Sequence, residues 1–187
     1  FPNAFTLYMR TLDGTVRSVW EISHFRDDRQ SLMQWFNWLA QTQTYMIGFN
    51  NINFDYPVIH YIFTNPTATV EQIYEKAMSI INNGGDRFGH IIWADNRFAP
   101  QIDVFKINHF DNPAKSTNLK ALQINMRSRS VVDMPVEVGT VLTKEQVDSL
   151  LIPYNAHDVD ETAQFAMFNM PAIEFRLGLV EQFGVDV

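Results

Sequence analysis

A hairpin signal near the start of the chain constrains the fold more than any other feature. Residues 5–12 and 16–22 are rich in aromatic and β-branched side chains, and the pair Asp13-Gly14 lies between them. An Asp-Gly pair between two such stretches is typical of a β-hairpin turn. Two antiparallel strands followed by interspersed helices indicate an α/β sandwich around a mixed central sheet flanked by helices.

The spacing of apolar residues predicts the elements that follow the hairpin. In chain order we expect a helix capped by Asp27 or Asp28, a buried strand at 45–49, a helix with Pro57 in its first turn, a helix over Val70–Asn82, and strands at 90–93 and 102–107.

The last third of the chain is predicted to be mainly helical. We expect a helix capped by Ser116 or Thr117 that runs to Met126, an irregular stretch at 131–138, a capping box at Thr143, a helix beginning near Tyr154 after a break at Pro153, and a terminal helix at 172–182 closed by Gly184.

Composition limits the class of protein. A chain of 187 residues with 46% hydrophobic and 19% charged residues suits one globular domain covering residues 1–187. The absence of cysteine excludes disulfides and thiolate metal sites, so any metal must bind oxygen or imidazole. There is neither an apolar run long enough for a membrane span nor a signal-peptide pattern, so we expect a cytoplasmic protein without a membrane partner.

The net charge of −7 argues against a protein that binds duplex DNA on its own. Affinity for the phosphate backbone comes largely from clustered lysine and arginine, and the sequence has no basic run. A domain that grips only a few nucleotides at a strand end tolerates this charge. An acidic cytoplasmic domain with no role on nucleic acids is the simpler alternative.

Two short motifs carry candidate chemistry: Asn50-x-x-x-Phe54-Asp55-x-Pro57 and Tyr154-x-x-x-Asp158. Their carboxylates are the hard oxygen ligands that Mg²⁺ or Mn²⁺ prefers, and a phenol could hold an attacking water. On a helix, Tyr154 and Asp158 lie on one face a single turn apart. The alternative is an ordinary amphipathic helix with a solvated aspartate and a tyrosine packed at the surface.

The first motif also has two interpretations. Asp55 lies between the aromatic residues Phe54 and Tyr56, which favours a position near an apolar surface, although it could instead cap the helix ahead of Pro57. Asn50 could hydrogen-bond near a substrate or could simply form a loop. Phe49 and Phe54 could stack on unpaired bases, but aromatic residues beside a strand end are more often part of a core.

These motifs resemble the second and third motifs of the DnaQ-like 3′–5′ proofreading exonucleases, in the form found in phage and family B DNA polymerases. The resemblance covers most of the chain and includes Ile102-Asp103-Val104-Phe105-Lys106 and Asn118-Leu119-Lys120-Ala121-Leu122. Position 153 is proline where a second subclass has histidine, so the tyrosine (DEDDy) subclass is indicated.

The resemblance implies an RNase H-like fold whose opening strand carries Asp-x-Glu. That tripeptide does not occur in the 187 residues, and the opening Phe1-Pro2-Asn3 resembles the segment that follows Asp-x-Glu-Thr in the family. We therefore expect the first strand to be truncated here and to lie upstream of Phe1. Asp103 and Asp160 are not expected to replace its two acids.

The family's activity is then implied for this chain. Catalysis would use Asp55, Tyr154 and Asp158, with Asp55 and Asp158 binding Mg²⁺ or Mn²⁺, and Phe49, Asn50 and Phe54 contacting the 3′ end of single-stranded DNA. The implied partner is a polymerase domain, and the compartment is the host cytoplasm for a phage-encoded protein. The alternative is an RNase H-like domain that has lost catalysis and serves as a binding or structural module.

Overall fold

The computed structural model describes residues 1–82, 88–109, 118–128 and 131–184. Its four strands are β1 (Ala4–Arg10), β2 (Arg17–Ser23), β3 (Met46–Gly48) and β4 (Gln101–Asp103). Its α-helices are α1 (Arg29–Thr42), α2 (Asp55–Thr64), α3 (Val70–Asn82), α4 (Val104–His109), α5 (Leu119–Asn125), α6 (Lys144–Gln146), α7 (Ile152–Phe168) and α8 (Met170–Phe183). The proposed caps Ser116 and Thr117 lie outside the described residues.

The strands form two pairs of opposite type. β1 and β2 pair antiparallel around the predicted Asp13-Gly14 turn, with Leu7 opposite Trp20. β3 and β4 pair parallel, with Gly48 opposite Asp103. The protein is therefore mixed α/β, as predicted, and the described residues form two separate two-stranded sheets.

Two of the predicted strands are wrong in whole or in part. Residues 90–93 form no strand and lead into a 3₁₀ turn at Ala94–Asn96. The strand predicted at 102–107 ends at Asp103, where α4 begins. The Phe105 amide donates to the Asp103 side chain over 3.1 Å, so a helix cap prevails over the strand propensity of the apolar residues that follow.

The helical C-terminal region follows the predictions except at two places, of which the first is α5, where Asn118 holds the cap position predicted for Ser116 or Thr117. Thr143 forms the expected capping box with Gln146, and Gly184 ends α8 with a φ of 64°. The break predicted at Pro153 is wrong, because helical backbone continues from α6 through a π-helical turn at Val147–Leu151 into α7. Pro153 lies in the first turn of α7, and the wider π turn accommodates its missing amide.

Three clusters of buried apolar residues support the arrangement among the described residues, and the smallest joins Ala4 to Leu142, Val147 and Leu151. The largest one joins the β1–β2 hairpin to α1, α2 and α3, and in it Trp20 stacks on Trp35 with ring centroids 4.7 Å apart. The second joins β4, α7 and α8 through Ile102, Phe165 and Ile173. The second core thus includes β4, which ends at Asp103, and α7, the helix that carries Tyr154 and Asp158.

Within the described ranges, no helix has both the length and the apolar character that crossing a bilayer requires.

Candidate functional site

The first motif leaves the end of β3 in a tight turn. A Cβ atom placed on Gly48 would lie 2.6 Å from the Cβ of Asn51, so only glycine fits this position without movement of the chain. Asn50 then adopts the left-handed conformation with a φ of 57°, which asparagine tolerates better than most residues. We call residues 50–55 the motif loop. The backbone at its start requires glycine at position 48 and favours asparagine at position 50.

Hydrogen bonds hold the motif loop against β4. The Asn50 amide donates to Asp103 Oδ1 over 2.8 Å, and Asn51 Nδ2 donates to Gln101 Oε1 over 2.9 Å. Asn51, Gln101 and Asp103 are all buried. Buried polar groups that bond to each other fix geometry, because leaving one unpaired is costly. Two neighbouring loop residues, Asn50 and Asn51, thus attach the loop to β4.

The motif loop ends at Asp55, the first residue of α2. The alternative role of Asp55 as a helix cap is not seen, because Phe54 holds the cap position and no side chain bonds there. Desolvation raises the pKa of Asp55 to about 6, and the negative charges of Asp103 and Asp158 add to the shift. The residue keeps an exposed face, so water hydrates part of the carboxylate. Asp158 is thus near enough to contribute to the raised pKa of Asp55, as the last of its causes, and a shared site of the two acids stays a prediction.

The second motif lies on α7, with Tyr154 and Asp158 on one helical face as predicted. Asp158 is close enough to the Tyr154 hydroxyl to contribute to its raised pKa, and both residues are half-buried. Burial and the neighbouring carboxylate raise the pKa of the Tyr154 phenol, which keeps it protonated at neutral pH. The pKa of Asp158 is raised by burial, against the opposing effect of the Tyr154 hydroxyl.

Charged residues from two helices, α5 and α7, lie around Asp158. His157 and Lys120 favour its ionised form, whereas Glu161 disfavours it. Glu161 is 5% exposed and accepts a hydrogen bond from Ser128. Lys120 forms an ion pair with Asp133 at the surface. Asp158 therefore lies at the border between a buried polar cluster and solvent.

The aromatic residues of the first motif differ in environment. Phe49 packs edge-to-face against Phe105 at 5.2 Å and Phe165 at 6.2 Å, as part of the second core. The structure thus favours the core interpretation of Phe49 over base stacking. Phe54 is half-buried beside Asp55, and its proposed contact with substrate stays a prediction.

Polar contacts also join α7 to the hairpin. Asn155 Nδ2 donates to the Thr6 carbonyl over 3.2 Å. Asp160 pairs with Arg10 at 2.6 Å and with Arg17 at 3.1 Å. Asp160 is thus engaged by two arginines, in agreement with the expectation that it does not replace a missing metal ligand.

The donor set for a divalent cation consists of the carboxylates of Asp55 and Asp158. Their oxygen chemistry fits Mg²⁺ or Mn²⁺. Within the parts of the chain that the structure describes, however, no group of three or more histidine or acidic side chains is arranged to hold a metal ion. The two motif acids are thus an incomplete ligand set.

Sequence reasoning missed the role of Asp103. It lies where β4 ends and α4 begins, bonded both to the motif loop and to the helix start. An aspartate directly before a stretch of apolar residues is a possible helix cap, and that signal was present in the sequence.

Comparisons of the chain with protein-family models, with curated proteins and with solved structures found no match.

Proposed function

We propose that this chain is the larger part of a 3′–5′ exonuclease domain that removes nucleotides from single-stranded or frayed DNA. The observation that carries the proposal is that Tyr154 and Asp158 share one face of α7, while the Asp158 charge contributes to the raised pKa of Asp55 at the end of the motif loop. Two acids from distant parts of the chain and a protonated phenol form the kind of site that phosphodiester hydrolysis uses.

Asp55 and Asp158 would hold Mg²⁺ or Mn²⁺, which when bound supplies Lewis-acid stabilisation of charge on the phosphate and leaving oxygen. The Tyr154 hydroxyl oxygen would accept a hydrogen bond from the attacking water through its lone pairs. Because the raised pKa keeps the phenol protonated, Tyr154 orients the water and does not act as its base. Asn50 and Phe54 would contact the terminal nucleotides.

The finer fold that we propose is RNase H-like, completed by a strand that carries Asp-x-Glu from outside these 187 residues. Two findings support this. Among the described residues, β1 and β3 are each paired on one side only, and α7 contacts both of them. A strand between β1 and β3 would join the two sheets into one and bring two more carboxylates to Asp55 and Asp158.

The proposed partners are a single-stranded DNA 3′ end and a polymerase domain. A net charge of −7 leaves little capacity for gripping duplex DNA, so a larger polymerase surface would hold the duplex. The proposed compartment is the cytoplasm, or the host cytoplasm for a phage protein.

The test is incubation of protein that includes the upstream strand with 5′-labelled single-stranded DNA and Mg²⁺ or Mn²⁺. We expect stepwise shortening from the 3′ end, abolished by Asp158→Ala and slowed about tenfold by Tyr154→Phe, because the phenol positions water and does not bind metal. Asp148→Asn, which removes an exposed carboxylate paired with Lys144, is the charge-matched control and should cut normally. Equal cleavage by all four proteins would refute the assignment.

The second candidate is an RNase H-like module that binds nucleic acid without cutting it. The absence of Asp-x-Glu from the 187 residues favours it, as does the lack of a three-residue metal group in the described segments. The same assay separates the two candidates: binding of labelled DNA without shortening, in protein that includes the upstream segment, supports the module.

A further inference from the structure

Asp103 is a buried carboxylate with an unusual set of partners. It is 2% exposed, and a single oxygen, Oδ1, accepts from the Asn50 amide at 2.8 Å and from the Phe105 amide at 3.1 Å. The Ile52 amide also stabilises the charge. One side chain therefore gathers backbone amides from the motif loop and from the start of α4.

A helix cap alone does not explain this residue. Asn118 caps α5 with a neutral side chain that accepts from the Ala121 amide over 2.8 Å, and its position is exposed. Burying a carboxylate costs far more free energy than placing a neutral side-chain amide, such as that of Asn118, at the surface. Burial accordingly raises the pKa of Asp103. The charge is compensated by stronger hydrogen bonds to the amides it accepts from. One of those amides, at Asn50, belongs to the motif loop.

The bonded Asn50 amide lies where the loop is hardest to hold. Asn50 is in the left-handed conformation, which is less favourable for a residue with a Cβ than for glycine. Its own side chain is engaged by Asn53 Nδ2 at 2.7 Å. Without a charged acceptor below the loop, the Asn50 amide would lose the bond that attaches it to β4.

We propose that Asp103 is the positioning residue of the motif loop: its carboxylate fixes the Asn50 backbone and thereby sets where Asn50, Phe54 and Asp55 present their side chains. Asp103 itself touches neither metal nor DNA in this role. The effect on cleavage rests on the proposed exonuclease function, whereas the effect on loop structure does not.

The loop effect is tested by hydrogen exchange at the Asn50 amide, measured by NMR on the 187-residue protein. In Asp103→Ala we expect the Asn50 amide to exchange about tenfold or more faster, beyond any increase at amides that exchange only through global unfolding. Asp103→Asn should have a smaller effect, because its amide oxygen still accepts a hydrogen bond. Asn118→Ala is the matched control, since it removes another helix cap and should leave Asn50 unchanged. Unchanged protection of Asn50 in both Asp103 variants would overturn the proposal.

The effect on cleavage is tested in protein that includes the upstream strand. A displaced loop should lower kcat about tenfold in Asp103→Asn and about a hundredfold in Asp103→Ala, with KM for the oligonucleotide changed by less than about twofold. A residue that only supports the fold would lower activity in proportion to the folded fraction, and that result would contradict the proposal. If the wild-type protein cuts nothing, the proposed function fails, and the exchange measurement still decides the role of Asp103.

Discussion

The two halves of the candidate site are held in different ways. The motif loop is fixed by directional hydrogen bonds between buried polar groups, chiefly those of Asn50 to Asp103 and of Asn51 to Gln101. The helix that carries Tyr154 and Asp158 is fixed by apolar packing of Phe165 and Ala166 and by half-exposed contacts to the hairpin.

This difference indicates where each half is vulnerable. A directional hydrogen bond is lost through a single substitution, and the loop then changes shape locally. Packing is distributed over many atoms, so only removal of a large buried side chain should shift α7. We therefore expect local effects from substitutions in the loop and global effects from substitutions in the core below α7.

The largest effect is expected where the two halves meet. Phe165 is 5% exposed and its ring packs edge-to-face on Phe49. Phe165→Ala should lower the free energy of unfolding by about 3–5 kcal/mol, because it leaves a cavity between the loop and α7. Chemical denaturation measures this. Phe168→Ala on the same helix, at a side chain that is 79% exposed, should change stability by less than about 0.5 kcal/mol.

A smaller and more local effect is expected at Gly48. A methyl group there meets Asn51 Cβ at 2.6 Å, so Gly48→Ala should cost about 1–3 kcal/mol and disturb the loop first. Gly178→Ala is the matched control, because a Cβ there meets nothing within 4 Å and alanine favours the interior of α8. That control should stabilise the protein by up to about 1 kcal/mol. Similar destabilisation by both substitutions would refute the tight-turn explanation.

The ion pairs of α7 should matter less. Asp160→Asn removes the charge that pairs with Arg10 and Arg17, at a side chain that is 31% exposed. We expect a loss of about 1 kcal/mol or less, decreasing as salt is added. Thermal unfolding at low and high ionic strength measures this, and a loss that does not depend on salt would contradict it.

The smallest effect is a pH dependence from Asp55. Its pKa is raised from 3.8 to about 6, so the folded protein binds this proton more tightly than the unfolded chain does. The resulting stabilisation is complete below pH 3.8 and is lost as the pH rises through about 6. Because Asp55 is exposed to solvent, screening reduces this contribution. The difference in the free energy of unfolding between wild type and Asp55→Asn should therefore change between about pH 4 and 6 and stay constant above that range. A difference that is constant at every pH would contradict this prediction.

Local sequence patterns predicted the fold well where one signal dominates. The Asp13-Gly14 hairpin, the capping box at Thr143 and the end of α8 at Gly184 follow from turn and cap chemistry alone. The errors arose where tertiary context decides. Residues 104–107 have the composition of a strand, but the Asp103 cap turns them into a helix. Pro153 predicts a break, but a π turn absorbs it.

The candidate site was predictable in part. Spacing placed Tyr154 and Asp158 on one helical face, and the structure agrees. The nearness of Asp55 to Asp158 came from the family resemblance, because no local pattern relates residues so far apart in sequence. The part played by Asp103 depends on parallel pairing of β3 with β4, which places Gly48 beside Asp103, and such pairing is not encoded by short-range periodicity.

The proposed function requires that Asp55 and Asp158 share a divalent cation. The most direct measurement is a titration of the 187-residue protein with Mn²⁺, in which paramagnetic broadening of the backbone amides of Asp55 and Asp158 is followed by NMR. With two carboxylates we expect weak binding, on the order of millimolar, and simultaneous broadening at both positions. Asp55→Asn or Asp158→Asn should each abolish the broadening at the other residue. Broadening at one residue that survives substitution of the other would contradict a shared site.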